Sequence, residues 1–137
     1  MSGGVLIDAN VLIELSQTDP GPSGWAVDGV AAAVGSGGAC INPLIYAELA
    51  PGFPDRESLD RFLPVRDIRR EPLPYEAAFP ATRAYRAYRN RGGVRTSCLP
   101  DFYIGAHAEV AGHAVMTRDV QRFRTYFPGV ELLTPDA

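Results

Sequence analysis

Val5-Leu6-Ile7, Ala39-Cys40-Ile41 and Ala114-Val115-Met116 are short runs that stay apolar at every position, and stretches with helical periodicity separate them. Successive side chains of a strand point to opposite faces, so a run that is apolar throughout must be buried on both. Strands of this kind alternating with helices predict a parallel sheet covered by helices on both faces, an α/β architecture.

The first strand, from Gly4 to Ile7, ends at Asp8. Asn10 then opens an apolar-periodic helix through Leu15 and can cap it, which leaves Asp8 without that duty. Thr18 to Gly24 reads as a loop, and the helix from Trp25 to Val34 is stopped by Gly35-Ser36-Gly37-Gly38, a flexible turn and not a phosphate loop. Ala39 to Asn42 is the second strand, and Pro43 suits the first turn of a helix, Leu44 to Leu49, that carries Glu48. Asp55 can cap a helix through Leu63, Arg69 to Leu73 is a weaker strand, and a long helix follows from Tyr75 to Arg91. After the irregular link at Gly92-Gly93, Pro100-Asp101 opens a helix through Ala108. Ala114 to Thr117 is a strand leading into Arg118-Asp119, Val120 to Tyr126 a short helix, and Val130 to Thr134 the last strand. No internal repeat or linker divides the sequence, so residues 1–137 are expected to form one domain. Ligands of open parallel sheets bind outside the carboxyl ends of the strands, where strand order reverses, and Asp8 and Asp119 belong to that face.

Composition excludes several mechanisms. All 13 basic residues are Arg, which removes Walker-type phosphate binding, Schiff-base chemistry and Ser-Lys dyads. The net charge of −3 gives no global field for nucleic acid, so such binding needs a local patch. Cys40 and Cys98 lie apart, without a metal or disulfide spacing, and are read as buried free thiols in a reducing compartment. The sequence has no run of about 18 apolar residues and no basic leader, which makes the cytoplasm the expected location and no membrane the expected partner.

A phosphodiester is anionic and its in-line hydrolysis builds further negative charge, so an acidic site can perform it only by holding cations. Mg²⁺ and Mn²⁺ take oxygen ligands from a few carboxylates and waters. Singly, Glu48, Asp101 and Asp119 read as helix caps or solvated acids, whereas Asp8, ending an apolar strand, reads as functional.

Four segments together resemble the PIN-domain ribonucleases, specifically the VapC-type toxins of type II toxin-antitoxin pairs. They are Leu6-Ile7-Asp8-Ala9-Asn10-Val11-Leu12-Ile13, Ile45-Tyr46-Ala47-Glu48-Leu49, Pro100 through Ala108, and Met116-Thr117-Arg118-Asp119 followed by Phe123. The resemblance implies a five-stranded parallel sheet flanked by helices, a Mg²⁺- or Mn²⁺-dependent endoribonuclease using metal-activated water, and a catalytic and metal-binding quartet of Asp8, Glu48, Asp101 and Asp119. It also implies a small cognate antitoxin and a homodimer. Asn10 and Thr117 match polar positions beside the quartet, and each has two readings: orienting a carboxylate, or capping and turning the backbone. His107, in an Ala-rich helix, is read as a packed or partly exposed helical histidine. A quartet carboxylate, Asp8 or Asp101, is left as the proton acceptor.

Arg83, Arg86, Arg89, Arg91 and Arg95, interleaved with Tyr85 and Tyr88, form a basic cluster in an otherwise acidic chain. It is either an RNA-binding surface that contacts phosphates or a solvated helix face whose tyrosines pack on the core. Two other functions compete. Phosphoryl transfer to Asp8 is disfavoured by the missing lysine and by Asn10 at the position of a second acid. A non-catalytic PIN-like binding module is opposed by the complete quartet. Cleavage of DNA instead of RNA is compatible with the same chemistry, since metal-assisted hydrolysis does not require the 2′-OH.

Overall fold

The structure, a computed structural model, describes residues 3–17, 24–92 and 98–135. Its elements run β1 (Val5–Ile7), α1 (Ala9–Ser16), α2 (Trp25–Gly35), β2 (Ala39–Ile41), α3 (Pro43–Leu49), α4 (Arg56–Phe62), β3 (Arg69–Arg70), α5 (Ala78–Asn90), α6 (Leu99–Ala111), β4 (Ala114–Met116), α7 (Val120–Tyr126) and β5 (Leu132–Leu133). Single 3₁₀ turns cover Ala50–Gly52 and Tyr75–Ala77. The expected elements are present, with the two edge strands shorter than expected, Arg69–Arg70 and Leu132–Leu133. Most of the expected loop at Thr18 to Gly24 and the link after Gly92 lie outside the described residues.

All pairings are parallel, in the order β3-β2-β1-β4-β5. Consecutive residues Leu6 and Ile7, Cys40 and Ile41, and Val115 and Met116 are at most 1% exposed, so both faces of the central strands are covered, as their continuous apolarity requires. Chain order proceeds outward from β1 through β2 to β3, then returns to the other side of β1 at β4. The reversal therefore falls between β1 and β4, and their carboxyl ends lead directly into Asp8 and Thr117.

The two helices that carry Glu48 and Asp101, α3 and α6, start at well-formed caps. Asn42 Oδ1 accepts the Ile45 N–H at 3.0 Å, with Pro43 in the first turn of α3. In α6, Pro100 occupies the first turn, and Asp101 Oδ2 reaches back to accept the Cys98 N–H at 2.7 Å. Such reciprocal capping satisfies backbone donors that the first helical turn leaves unpaired. Further along, α6 is buried on most sides, through Phe102, Ile104, Gly105, Ala106, His107 and Ala108. Gly105 permits this depth, because a Cβ there would run into the Phe127 ring.

Two expectations are corrected. Asp8, not Asn10, is the N-cap of α1, with its Oδ1 accepting the Ala9 N–H at 2.8 Å. The helix begins two residues earlier than a cap at Asn10 implies, because the tight turn out of β1 leaves Asp8 extended and adjacent to the first free N–H groups. Of the thiols, Cys40 is buried as expected, but Cys98 is exposed at the start of α6.

Candidate acidic site at the switch point

Asp8, Glu48, Asp101 and Asp119 line one cavity of about 160 Å³, together with Ala9, Asn10, Ile13, Ile104, Arg122 and Phe123. Each acid arrives on a different element: Asp8 after β1, Glu48 on α3, Asp101 in the first turn of α6, Asp119 at the N-cap of α7. The four sequence segments thus converge at the carboxyl ends of β1 and β4.

Asp8 is the most enclosed of them, 8% exposed. Its Oδ2 accepts from the Thr117 hydroxyl at 2.8 Å and from Asn10 Nδ2 at 3.2 Å. Thr117 Oγ1 in turn accepts the Asp119 N–H at 2.9 Å, and Asn10 Oδ1 accepts the Arg118 N–H at 3.2 Å. Asn10 and Thr117 therefore tie the end of β1 to the end of β4, each contacting the Asp8 carboxylate and also accepting a backbone N–H of the turn after β4. Capping at Asp8 and facing the cavity are compatible roles, since a carboxylate has about four acceptor sites.

The electrostatics are those of incompletely neutralised acids. Burial pushes the Asp8 carboxyl above its ordinary value and Asp119 adds to the rise, while Thr117, the Ala9 N–H and Arg122 oppose it. Glu48 is much more open to solvent, yet partial desolvation followed by repulsion from Asp8 and Asp101 also raises it, again against Arg122. Among the described residues, Arg122 is the one basic side chain lining the cavity, and its Nη1 lies 2.9 Å from Asp119 Oδ2. Sequence reasoning missed it. Its position three residues after Asp119 on a helix was the available signal.

The expected RNA-contacting arginines lie elsewhere. Arg83, Arg86 and Arg89 project into solvent from α5 and Arg91 from its C-cap, and none lines the acidic cavity. Arg95 lies outside the described residues. Tyr85 and Tyr88 pack on Phe102, with ring centroids 5.7 and 5.3 Å away, and Tyr126 joins the same cluster. Arg89 lies over Tyr85 and Arg91 over Tyr126, each 5.9 Å from the ring centroid. Packed tyrosines and solvated arginines thus coexist on α5, next to the residue that follows Asp101.

A second cluster of potential ligands draws on Cys40 in β2, Glu71 just after β3 and His113 just before β4. Cys40, Glu71 and His113 bring ligand atoms within 4.8 Å of one another, but their hydrogen bonds oppose metal binding. His113 Nδ1 accepts the Gly4 N–H at 2.7 Å, so its ring proton sits on Nε2 and points at Glu71 Oε1, 2.8 Å away. Metal at Nε2 would move that proton to Nδ1, against another donor. His107 repeats the arrangement, with Nδ1 facing Asn42 Nδ2 at 3.0 Å and Nε2 facing Glu71 Oε1 at 3.2 Å. Arg69 donates to Glu71 Oε2 at 2.9 Å. Cys40 is held as a thiol: burial and then the Glu71 charge push it up to about 12, and its Sγ lies 3.4 Å from the Val5 carbonyl. This is a satisfied structural network that uses His107 for packing, as its helical context suggested.

Fold and cavity together define a PIN-like α/β protein with an acidic pocket at its topological switch point. Solved structures with the same fold include a chain of the VapBC2 complex of Rickettsia felis, bound to a DNA fragment from its promoter, at TM-score 0.72 and 14% identity over 95% of this chain and 97% of that one. FitAcB from Neisseria gonorrhoeae gives TM-score 0.72 and 20% identity over 96% and 97%. A toxin-antitoxin complex from Klebsiella pneumoniae gives 0.69 and 20% over 96% and 98%. At these identities the likeness is one of fold. No protein-family model matches the sequence, and no curated protein sequence matches it.

Proposed function

We propose that this chain is a divalent-metal-dependent endoribonuclease acting as the toxin of a toxin-antitoxin pair. The observation that carries the reading is the convergence of Asp8, Glu48, Asp101 and Asp119 on one cavity at the switch point. The donor set fits Mg²⁺ or Mn²⁺, because it consists of carboxylate oxygens without thiolate or imidazole. Burial raises the Asp8 and Glu48 carboxyls, and neighbouring acids add to the rise. A divalent ion, when bound, supplies charge against the anionic phosphodiester and activates water. The chain's own groups do the positioning: Thr117, Asn10 and the Ala9 N–H fix Asp8, and the Cys98 N–H fixes Asp101. One of these two carboxylates accepts the proton of the attacking water.

Arg83, Arg86, Arg89, Arg91 and Arg95 are proposed to hold the RNA backbone beside the cavity, without reading sequence. Toxin function is supported by the fold shared with chains of toxin-antitoxin complexes, and a small antitoxin and a second copy of this chain are the proposed protein partners. The reading places the protein in the cytoplasm, where no helix among the described residues is long and apolar enough to cross a membrane.

The deciding experiment is cleavage of structured and unstructured RNA, with single-stranded DNA in parallel, by the wild type and Asp8→Asn in Mn²⁺ or chelator. RNA cleavage that requires Mn²⁺ and falls roughly 100-fold or more in Asp8→Asn is expected. In cells, induced wild type should arrest growth and Asp8→Asn should not. RNA that binds and stays intact would instead identify a non-catalytic PIN-like module, and acid-labile phosphate on Asp8 a phosphotransfer domain.

A further inference from the structure

Four carboxylates share the acidic cavity, and Arg122 is the basic side chain that lines it with them. The guanidinium is anchored from two sides. It pairs with Asp119 Oδ2 at 2.9 Å, and it lies over the Phe102 ring, 5.7 Å from the centroid. With its side chain 29% exposed, it is neither a locked core group nor a freely solvated one. It shares the cavity with Asp8 and Glu48, which reside on other elements. The neighbouring arginines are engaged elsewhere: Arg118 Nε pairs with Glu14 at 2.6 Å and its guanidinium lies over Trp25, and Arg124 lines a separate cavity with Trp25 and Met116.

We propose that Arg122 is a resident counter-cation of the acidic pocket, occupying Asp119 until a divalent ion displaces it, and thereby setting the pocket's affinity for metal. The inference rests on the reading of the pocket as a metal site. Without a divalent ion, Arg122 offsets the mutual repulsion of the acids. A guanidinium on Asp119 Oδ2 and a divalent ion on the same carboxylate repel one another, so metal binding works to loosen the pair. The work of that loosening weakens metal affinity, and the surface on which α7 begins gains a mobile guanidinium with donors suited to phosphate oxygens.

The test is a calorimetric titration of Mn²⁺ into the chelator-stripped full chain, comparing wild type, Arg122→Gln, Arg122→Lys and Asp8→Asn. Arg122→Gln is expected to bind Mn²⁺ about tenfold more tightly than wild type, Arg122→Lys close to wild type because it keeps the charge, and Asp8→Asn far more weakly. A second readout uses the unsubstituted protein: on titration with diamagnetic Mg²⁺, the Arg122 Nε–H resonance should leave its ion-paired position, which keeps the proposal testable if Arg122→Gln folds poorly. Equal or weaker binding by a folded Arg122→Gln, or an Arg122 resonance unmoved at saturating Mg²⁺, would overturn the role of Arg122 while leaving the metal site intact. If neither wild type nor Arg122→Gln binds Mn²⁺, the metal-site reading itself falls, and this inference with it.

Discussion

Two polar clusters flank β1, and they treat carboxylates in opposite ways. Glu71 accepts hydrogen bonds from His107, His113 and Arg69. Burial alone would raise its carboxyl, but these donors and their charge hold it at about 2. In the switch-point pocket, Asp8 and Glu48 are raised by burial and by one another's neighbours, with Arg122 as the shared counter-charge. The first cluster also satisfies the simple criterion for a metal site, three ligand types within 4.8 Å, whereas the second is the better candidate for function. Proximity of ligand atoms is therefore a poorer guide than whether their hydrogen-bonding and charge requirements are already met. A fully satisfied cluster holds the fold together; an under-neutralised one stores an unfavourable interaction that a ligand can relieve.

The sharpest way to break this comparison is to remove one acid from each cluster and measure stability in chelator. Glu71→Ala leaves two buried histidine N–H groups and Arg69 without their acceptor and should cost about 2–4 kcal/mol in urea unfolding. Asp8→Asn keeps a side chain able to cap α1 and removes a disfavoured charge, so its loss should stay below about 1 kcal/mol. Equal losses would mean that Asp8 is as structural as Glu71.

Acid titration gives a smaller contrast. Glu71 is held at about 2 against an ordinary 4.5, so the unfolded chain takes up its proton first and stability should fall as pH drops from about 4.5 toward 2. His107 is lowered from 6.5 by burial, against the opposing pull of Glu71, so unfolded protein binds its proton first and a shallower loss should begin below about 6.5. Asp8 and Glu48, raised in the fold, take up protons before the unfolded chain does and oppose both losses as pH falls through their folded values. Urea midpoints from pH 7 to 3 should therefore decline in the wild type and decline less steeply in Glu71→Gln. Superimposable pH profiles would remove Glu71 as the source of the acid limb.

The smallest effect concerns Glu48. Because its side chain is largely solvated, the repulsion it suffers from Asp8 and Asp101 is screened, and Glu48→Gln in chelator should raise stability by no more than about 0.5 kcal/mol. A loss of similar size would indicate that Glu48 contributes to the fold and is not under electrostatic tension.

Much of this molecule is encoded locally. Continuous apolarity at Leu6-Ile7, Cys40-Ile41 and Val115-Met116 required burial on both faces and so a parallel sheet, and Pro43, Asp55 and Pro100 marked helix starts that the structure retains. Asp8 and Asp119 could be assigned to strand ends, Asp101 to a helix start and Glu48 to the helix after the second strand for the same reason, since the period of a strand or helix is written in consecutive residues. Even so, the cap at the start of α1 was misassigned to Asn10, because a turn of one residue carries no periodicity.

Neutralisation, by contrast, belongs to the tertiary structure. Thr117 meets Asp8 across 109 positions of chain, and His107 and His113 meet Glu71 across 36 and 42. Nothing in the pattern around Glu71 distinguishes it from an exposed acid on an edge strand, and nothing around Arg122 says that its guanidinium would face a shared acidic cavity. Sequence determined which residues are acidic and on which elements they ride. Only the closing of the sheet, which fixed the neighbours of each charge, decided that Glu71 would be paired with His107, His113 and Arg69 while Asp8, Glu48, Asp101 and Asp119 would share, among the described residues, the one arginine Arg122, because the energy of a buried charge depends on the groups around it in space and not on those beside it in the chain.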